Sequence, residues 1–363
     1  MVDQNLTNPA PVRARTATIR DFILRNVRRH PKDIASLAMK EFGISRQAVN
    51  AHLKAMISDG ILESKGQTRG RKYQLVTHAL GSGTFQTTGL SEDDIWKDQI
   101  APLIANQPAN VRGICHYSFT EMVNNVIDHS GSPDVTIAAS QSAATVELWV
   151  QDHGVGIFNK IRNDLKLDDE RQAMLELAKG KLTTDPERHT GEGIFFSSRM
   201  CDEFWIYSGH FSYLAGGSEP ASMHERREDS PSGTSVLMVI NRFTARTPQQ
   251  VFDEFAGDDE AHGHAFSRTL IPLRLARYEG EDLVSRSQAK RVMARVENFR
   301  HVFLDFDEVD HIGPAFADEV FRVWQNVHPE TVLFCENASA PVMRMVNRAR
   351  RAAGLEPLHS SRT

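Results

Sequence analysis

Apolar residues recur with helical spacing through the first 60 positions and then give way to the alternation of short strands. Ile19, Ile23, Leu24 and Val27 share one face of a first predicted helix, and Ile34, Leu37 and Ala38 one face of a second. A third helix is predicted over 45–58, with Val49, Leu53 and Met56 inward, Ser45 as N-cap and Gly60 as stop. Segments 61–64 and 73–76 read as strands joined by a polar, glycine-containing stretch. Three helices and a hairpin are the order of a winged helix, here over 16–77, after a Pro-containing flexible tail at 1–15. The stretch 78–91, with Gly-Ser-Gly-Thr at 81–84, reads as a linker.

From 92 to 245 helices and strands mix. Helices are expected at 117–127, 169–178 and 194–200, strands at 135–139, 146–151, 204–207 and 235–240, and an exposed polar loop at 216–232. An acidic boundary follows at 257–259. The last hundred residues alternate strand 270–276, helix 287–298, strand 302–306, helix 315–327, strand 331–335 and helix 341–352, a small α/β domain over 265–358. The fold class expected is therefore multidomain α+β.

Charge sharpens this division. The net charge of −5 over 363 residues hides a basic head: residues 1–80 carry 14 Lys/Arg against 6 Asp/Glu, the remainder 28 against 41. A basic module on an acidic body points to nucleic acid as the partner of the head. In winged helices the third helix enters the major groove and the wing touches phosphates. Arg46, Gln47, Asn50, His52 and Lys54 are the polar positions of that helix, and Arg69, Arg71 and Lys72 load the wing, so DNA is expected, with protein contact as the alternative. Cys115, Cys201 and Cys335 are far apart and in no metal-ligand spacing, which fits a reducing, cytoplasmic setting. No apolar run is long enough to span a membrane, and the first residues lack a signal peptide's apolar segment. The pair His262 and His264 is a candidate metal site against the plainer reading of a solvated loop.

Four short constellations carry candidate chemistry. Glu121 and Asn125 are spaced by four on a helix, so both address one ligand: a carboxylate orients water or takes a proton, and an amide oxygen ligates Mg²⁺. Asp152-His-Gly154-Val-Gly156 ends an apolar strand, where glycines admit close backbone approach and a fixed carboxylate accepts from an exocyclic amine. Gly191-Glu-Gly193 opens a helix, whose free N–H groups favour phosphate. Gly233-Thr234 enters a strand. Each alone has an ordinary structural reading, a solvated helix face or a strand-ending turn.

Their order and spacing together resemble the Bergerat ATP-binding fold shared by sensor histidine kinases, gyrase, the MutL repair proteins and the large heat-shock chaperones. The resemblance implies that Asn125 holds Mg²⁺, Asp152 reads the adenine amine, and Gly154 and Gly156 let base and ribose sit close. It further implies that Gly191 and Gly193 take the phosphates, that Thr234 supports the adenine site, and that 158–190 form a lid. Lys179, Lys181 and Arg188 in that lid are candidate phosphate contacts. The Glu-x-x-x-Asn box followed by Asp-His-Ser is most similar to anti-sigma-factor serine kinases; Glu121 would be the base for hydrolysis or for phosphotransfer.

The tail resembles a STAS-like domain of unknown function through 285–291, the strand around 304–306 and 309–319. It has Asp310-His311-Ile312-Gly313 where serine-kinase partners carry a phosphorylated serine, so phosphorylation there is not expected; Ser285 and Ser287 remain conceivable acceptors or helix caps. The sequence thus leads to a cytoplasmic ATP-binding regulator with ATP and Mg²⁺ as cofactors, slow ATP hydrolysis favoured over protein phosphorylation. The winged helix would bind DNA, and the STAS-like unit a protein partner or a second copy. The alternatives are a serine/threonine kinase acting on a separate protein and a nucleotide-binding scaffold without turnover.

Overall fold

The computed structural model describes residues 12–67, 70–182, 191–217, 219–225, 232–256, 266–277 and 281–361. They form two compact units: one takes in the described residues up to Gly81 with 139–147 and 241–244, the other the rest.

The first unit opens with α1 (Val12–Asn26), α2 (Ile34–Phe42) and α3 (Arg46–Ser58), followed by β1 (Leu62–Lys65) and β2 (Lys72–Leu75). Ser45 caps α3 by accepting from Ala48 N at 3.2 Å, and Gly43 ends α2 in the left-handed region at φ 60. Ile23, Val27, Ile34, Ala38, Val49 and Met56 are completely buried, so the three helical stripes close on one core. Apart from Ala38, each of these side chains contributes about 1.5–3 kcal/mol on burial. β1 and β2 pair antiparallel, Leu62 opposite Leu75. Arg46, Gln47 and Lys54 are exposed on the outer side of α3 and Asn50 half-buried; Arg71 and Lys72 are exposed on the hairpin, and Arg69 lies outside the described residues.

Next come β3 (His78–Gln86), α4 (Glu92–Ile95), α5 (Ala109–Asn125), β4 (Asp134–Gln141), β5 (Thr145–Asp152), α6 (Ile157–Leu165), α7 (Glu170–Lys179), α8 (Gly193–Met200), β6 (Glu203–Ser208), β7 (Phe211–Gly216), β8 (Glu219–Glu225) and β9 (Thr234–Asn241). The seven strands form one sheet in the order β3-β4-β5-β9-β6-β7-β8. β9 lies at its centre and buries Val236 to Ile240 without a break, whereas β5 alternates, burying Val146, Leu148, Val150 and Asp152. α5 buries Val111, Ile114, Cys115, Ser118, Phe119, Met122 and Val123, a stripe of helical period.

Two expectations change here. Most of the stretch read as a linker at 78–91 is the edge strand β3, and most of its side chains are exposed, so backbone pairing rather than an apolar alternation defines it. Within the stretch read as a loop at 216–232, β8 pairs antiparallel with β7, Phe211 opposite Glu225. It too is a polar edge strand.

After α9 (Pro248–Phe255), started by a capping box of Thr247 and Gln250, the last part contains β10 (Arg268–Pro272), α10 (Arg286–Met293), β11 (His301–Asp305), α11 (Pro314–Asp318), α12 (Gln325–Val327), β12 (Val332–Glu336), α13 (Ala340–Ala352) and β13 (Ser360–Ser361). The four strands are parallel and in chain order, with α11 running on helically through 319–324 into α12. β10 stops at Pro272 rather than 276, because Leu273–Ala276 turns as a short 3₁₀ segment. α10 stops at Met293 rather than 298, because Arg295 takes φ 63 and breaks the helix. The chain is thus a multidomain α+β protein. His262 and His264 lie outside the described residues.

Candidate functional site

One wall of the principal cavity is built where β5 and β9 end. Asp152 is 4% exposed, and its Oδ1 accepts from Gly154 N at 2.7 Å and Thr234 N at 3.3 Å. Burial raises the Asp152 carboxyl above its ordinary pKa; the two N–H donors and His153 oppose that without cancelling it. Thr234 also accepts from Ile157 N at 3.0 Å through its hydroxyl, tying β9 to the start of α6. Val155 N donates to Ser130 O at 2.9 Å, and this brings the chain so close that a Cβ on Gly154 would stand 2.0 Å from that carbonyl oxygen. Glycine is required there for approach.

The facing wall comes from α5, α7 and α8. Glu121 and Asn125 stand one turn apart on α5, which continues through a wider turn at 126–130 carrying Asp128 and His129. Gly193 opens α8 directly over Glu121: a Cβ there would lie 2.0 Å from Glu121 Oε2. A carboxylate therefore sits against the first turn of α8, beside Gly191. Burial pushes the nearby Tyr117 hydroxyl up, and the charges of Glu121 and Glu192 push the same way.

Between these walls lies a cavity of about 340 Å³. Glu121, Asn125, Asp152, Gly156, Gly191, Gly193 and Thr234 all line it, although they come from four separate stretches of chain; Gly154 backs the wall without facing the cavity. The volume and the mixture of apolar and polar lining suit a small organic ligand. Sequence reasoning passed over several lining residues: Lys160 and Asp164, a 3.0 Å ion pair at helical spacing on α6, and Leu177, Leu182 and Glu192. The i, i+4 spacing of Lys160 and Asp164 was the available signal.

The lining is acidic. Glu121, Asp128, Asp152, Asp164 and Glu192 face it, and Lys160 is the one Lys or Arg among the described lining residues. A polyanion would be repelled unless a cation accompanied it. Among the described residues no cluster of three or more His, Cys, Asp or Glu is arranged to hold a metal ion. An Mg²⁺ would therefore take one or two protein oxygens and the rest from ligand and water, which is its usual habit with phosphates. The amide oxygen of Asn125 is of the right chemistry for such a protein ligand.

The two lysines expected to reach phosphate point elsewhere. Lys179 is 2% exposed, and its Nζ donates to Glu176 Oε1 at 2.6 Å and to the carbonyls of Arg291 and Ala294 at 3.0 and 2.9 Å. Lys181 Nζ donates to Asn298 O at 3.0 Å. Both candidate phosphate contacts are thus engaged by carbonyls of the C-terminal part; Arg188 lies outside the described residues. Ser285 caps α10, accepting from Gln288 N at 3.2 Å. The three cysteines are buried thiols, with Cys201 and Cys335 pushed up to about 12 by burial, which removes them as nucleophiles at neutral pH. No helix among the described residues is long and apolar enough to cross a membrane.

No curated protein matches the chain. Residues 288–343 match the family model of a STAS-like domain of unknown function, so the protein carries a C-terminal STAS-like domain.

Proposed function

We propose that the cavity is a Bergerat-type ATP site and that the protein is an ATP-binding transcriptional or signalling regulator. The observation that carries this is convergence. Four motifs spread from Glu121 to Thr234 meet around one cavity with a buried carboxylate in its wall. Asp152, fixed by two backbone donors, is placed to accept from an exocyclic amine, and its partner Thr234 holds it in register. Gly156, at φ 79, lets the chain pass close to Ser208, whose Oγ a Cβ there would approach to 2.7 Å. The first turn of α8, with Gly191 and Gly193, offers N–H donors to phosphate oxygens. Asn125 would hold Mg²⁺, which when bound neutralises phosphate charge. Glu121, against the first turn of α8, is the group positioned to orient and deprotonate a water; this favours slow hydrolysis.

The proposed output is DNA binding by the first unit, read as a winged helix. Its support is the row Arg46, Asn50 and Lys54 at spacing of four on α3, the two cations exposed and Asn50 half-buried between them, with Gln47 beside it and Arg71 and Lys72 on the hairpin. Labelled ATP tests the nucleotide half. Free phosphate that disappears in Glu121→Gln supports hydrolysis, label on an added protein would instead mean a kinase, and retained nucleotide without turnover a scaffold. For the DNA half, Arg46→Ala and Lys54→Ala should each lower the slope of log affinity against log salt by about 1. An unchanged slope would contradict phosphate contact by α3.

A further inference from the structure

The cavity's helix-side wall is held from outside its own sheet. Residues 179–182 touch the STAS-like unit at one end and the candidate phosphate loop at the other. Lys179, buried, caps the C-terminal end of α10: the carbonyls of Arg291 and Ala294 that it binds belong to the last turn and the residue after it, groups that a helix end leaves without intrahelical partners. Thr269 of β10 donates to Lys179 O at 2.6 Å. Lys181 binds Asn298 O and stands 4.9 Å from the Phe299 ring centre, while Arg295 donates back to Lys181 O at 3.0 Å. The next residue, Leu182, lines the cavity and donates its N–H to Gly191 O at 3.1 Å.

Backbone strain marks the same contact. Only five described non-glycine residues have positive φ, and two of them, Lys181 at 50° and Arg295 at 63°, face each other across it. Such conformations persist where surrounding contacts over-determine them, and they cluster in segments that switch. A second tie runs beneath: Phe195 of α8 packs on Phe255 at 5.0 Å and on Phe266 at 4.5 Å, and Phe266 packs on Phe299 at 5.3 Å. The helix that opens at Gly193 and the strap 179–182 therefore both end on the 294–299 segment of the STAS-like unit.

Resting on the reading of the cavity as a nucleotide site, we propose that the STAS-like unit regulates that site: the segment 291–299 sets the position of the strap 179–182 and of the Gly191 loop, and hence nucleotide affinity. Coupling of this kind is reciprocal, so nucleotide must change the segment in turn. What binds the STAS-like unit, by displacing α10 or stabilising it, would act on the cavity through Lys179 and Lys181.

Hydrogen exchange on the full chain, with and without a non-hydrolysable ATP analogue and Mg²⁺, tests this. The expected result is slowed exchange at 152–157 and a change of at least threefold in exchange rate at 291–299. In Lys181→Met the protection at 152–157 should remain, with analogue affinity shifted at least threefold and the response at 291–299 lost. Protection at 152–157 with no response at 291–299 in the unaltered protein would overturn the coupling and leave the nucleotide reading standing. Absence of protection at both, with no binding by dialysis, would overturn the nucleotide reading and the coupling together.

Discussion

The two walls of the cavity are built on different principles. The sheet-side wall is self-contained: Asp152, Thr234 and Ile157 are tied to one another at the ends of β5 and β9, Asp152 accepting from Gly154 N and Thr234 N and Thr234 from Ile157 N. The helix-side wall is borrowed: Leu177 and Leu182 flank a buried lysine whose side-chain partners, apart from Glu176, are the carbonyls of Arg291 and Ala294, 112 and 115 residues further along the chain. A wall fixed by its own strands gives a constant preference for ligand. A wall fixed by another domain makes the same cavity answerable to that domain.

The comparison is broken or sharpened by altering one wall at a time. The largest effect is expected from Glu121→Gln on the helix side, which should lower ATP turnover about 10²–10⁴-fold, the range for a lost general base, while nucleotide still binds. A phosphate-release assay checks it, and unchanged turnover would remove Glu121 from the chemistry. Next is Glu176→Ala, which leaves the Lys179 charge in a site where both partners are almost wholly buried. Breaking a buried pair from one side costs about 3–5 kcal/mol, so the urea midpoint should fall sharply. A shift no larger than that of an exposed pair would mean that the borrowed wall is not held through this lysine.

The smallest effect is a pH dependence confined to the sheet wall. Because the folded-state pKa of Asp152 is raised above 3.8, the native protein holds that proton more tightly than the unfolded chain. Its ionisation therefore costs stability as pH rises from 3.8 through the raised value. Nucleotide needs the ionised form, so affinity should rise over the same interval, and Asp152→Asn should flatten the profile. Titration by equilibrium dialysis checks it; an unchanged profile in the variant would assign the dependence to another group.

The self-contained wall was legible in the sequence, as were Glu121, Asn125, Gly191 and Gly193 of the helix-side wall; what holds that second wall in place was not, for a physical reason. Asp152, Gly154, Gly156 and Thr234 betray themselves because close approach and tight turns restrict which residues fit. Lys179 and Lys181 advertise only positive charge, and charge does not distinguish a phosphate from the carbonyl end of a helix. Their contacts with Arg291, Ala294 and Asn298 depend on a tertiary pairing that no local pattern encodes. The end of α10 was misplaced for a related reason, since the break at Arg295 belongs to that same contact. β3 and β8 escaped notice because both lie at the sheet's edges, where backbone pairing defines a strand and no apolar alternation is needed; β3 exposes most of its side chains. By contrast the helical stripes of α1 to α3, closing on one buried core, were readable residue by residue.

The most direct test of the central claim is equilibrium dialysis of labelled ATP against the full chain, with and without Mg²⁺, for the unaltered protein, Asp152→Ala and Asn125→Ala. Saturable binding at one site per chain is expected, weakened about 10-fold or more by Asp152→Ala through loss of a hydrogen bond to a charged group. Asn125→Ala should abolish the dependence on Mg²⁺. Absence of saturable binding in the unaltered protein, or equal affinity in all three, would contradict the account.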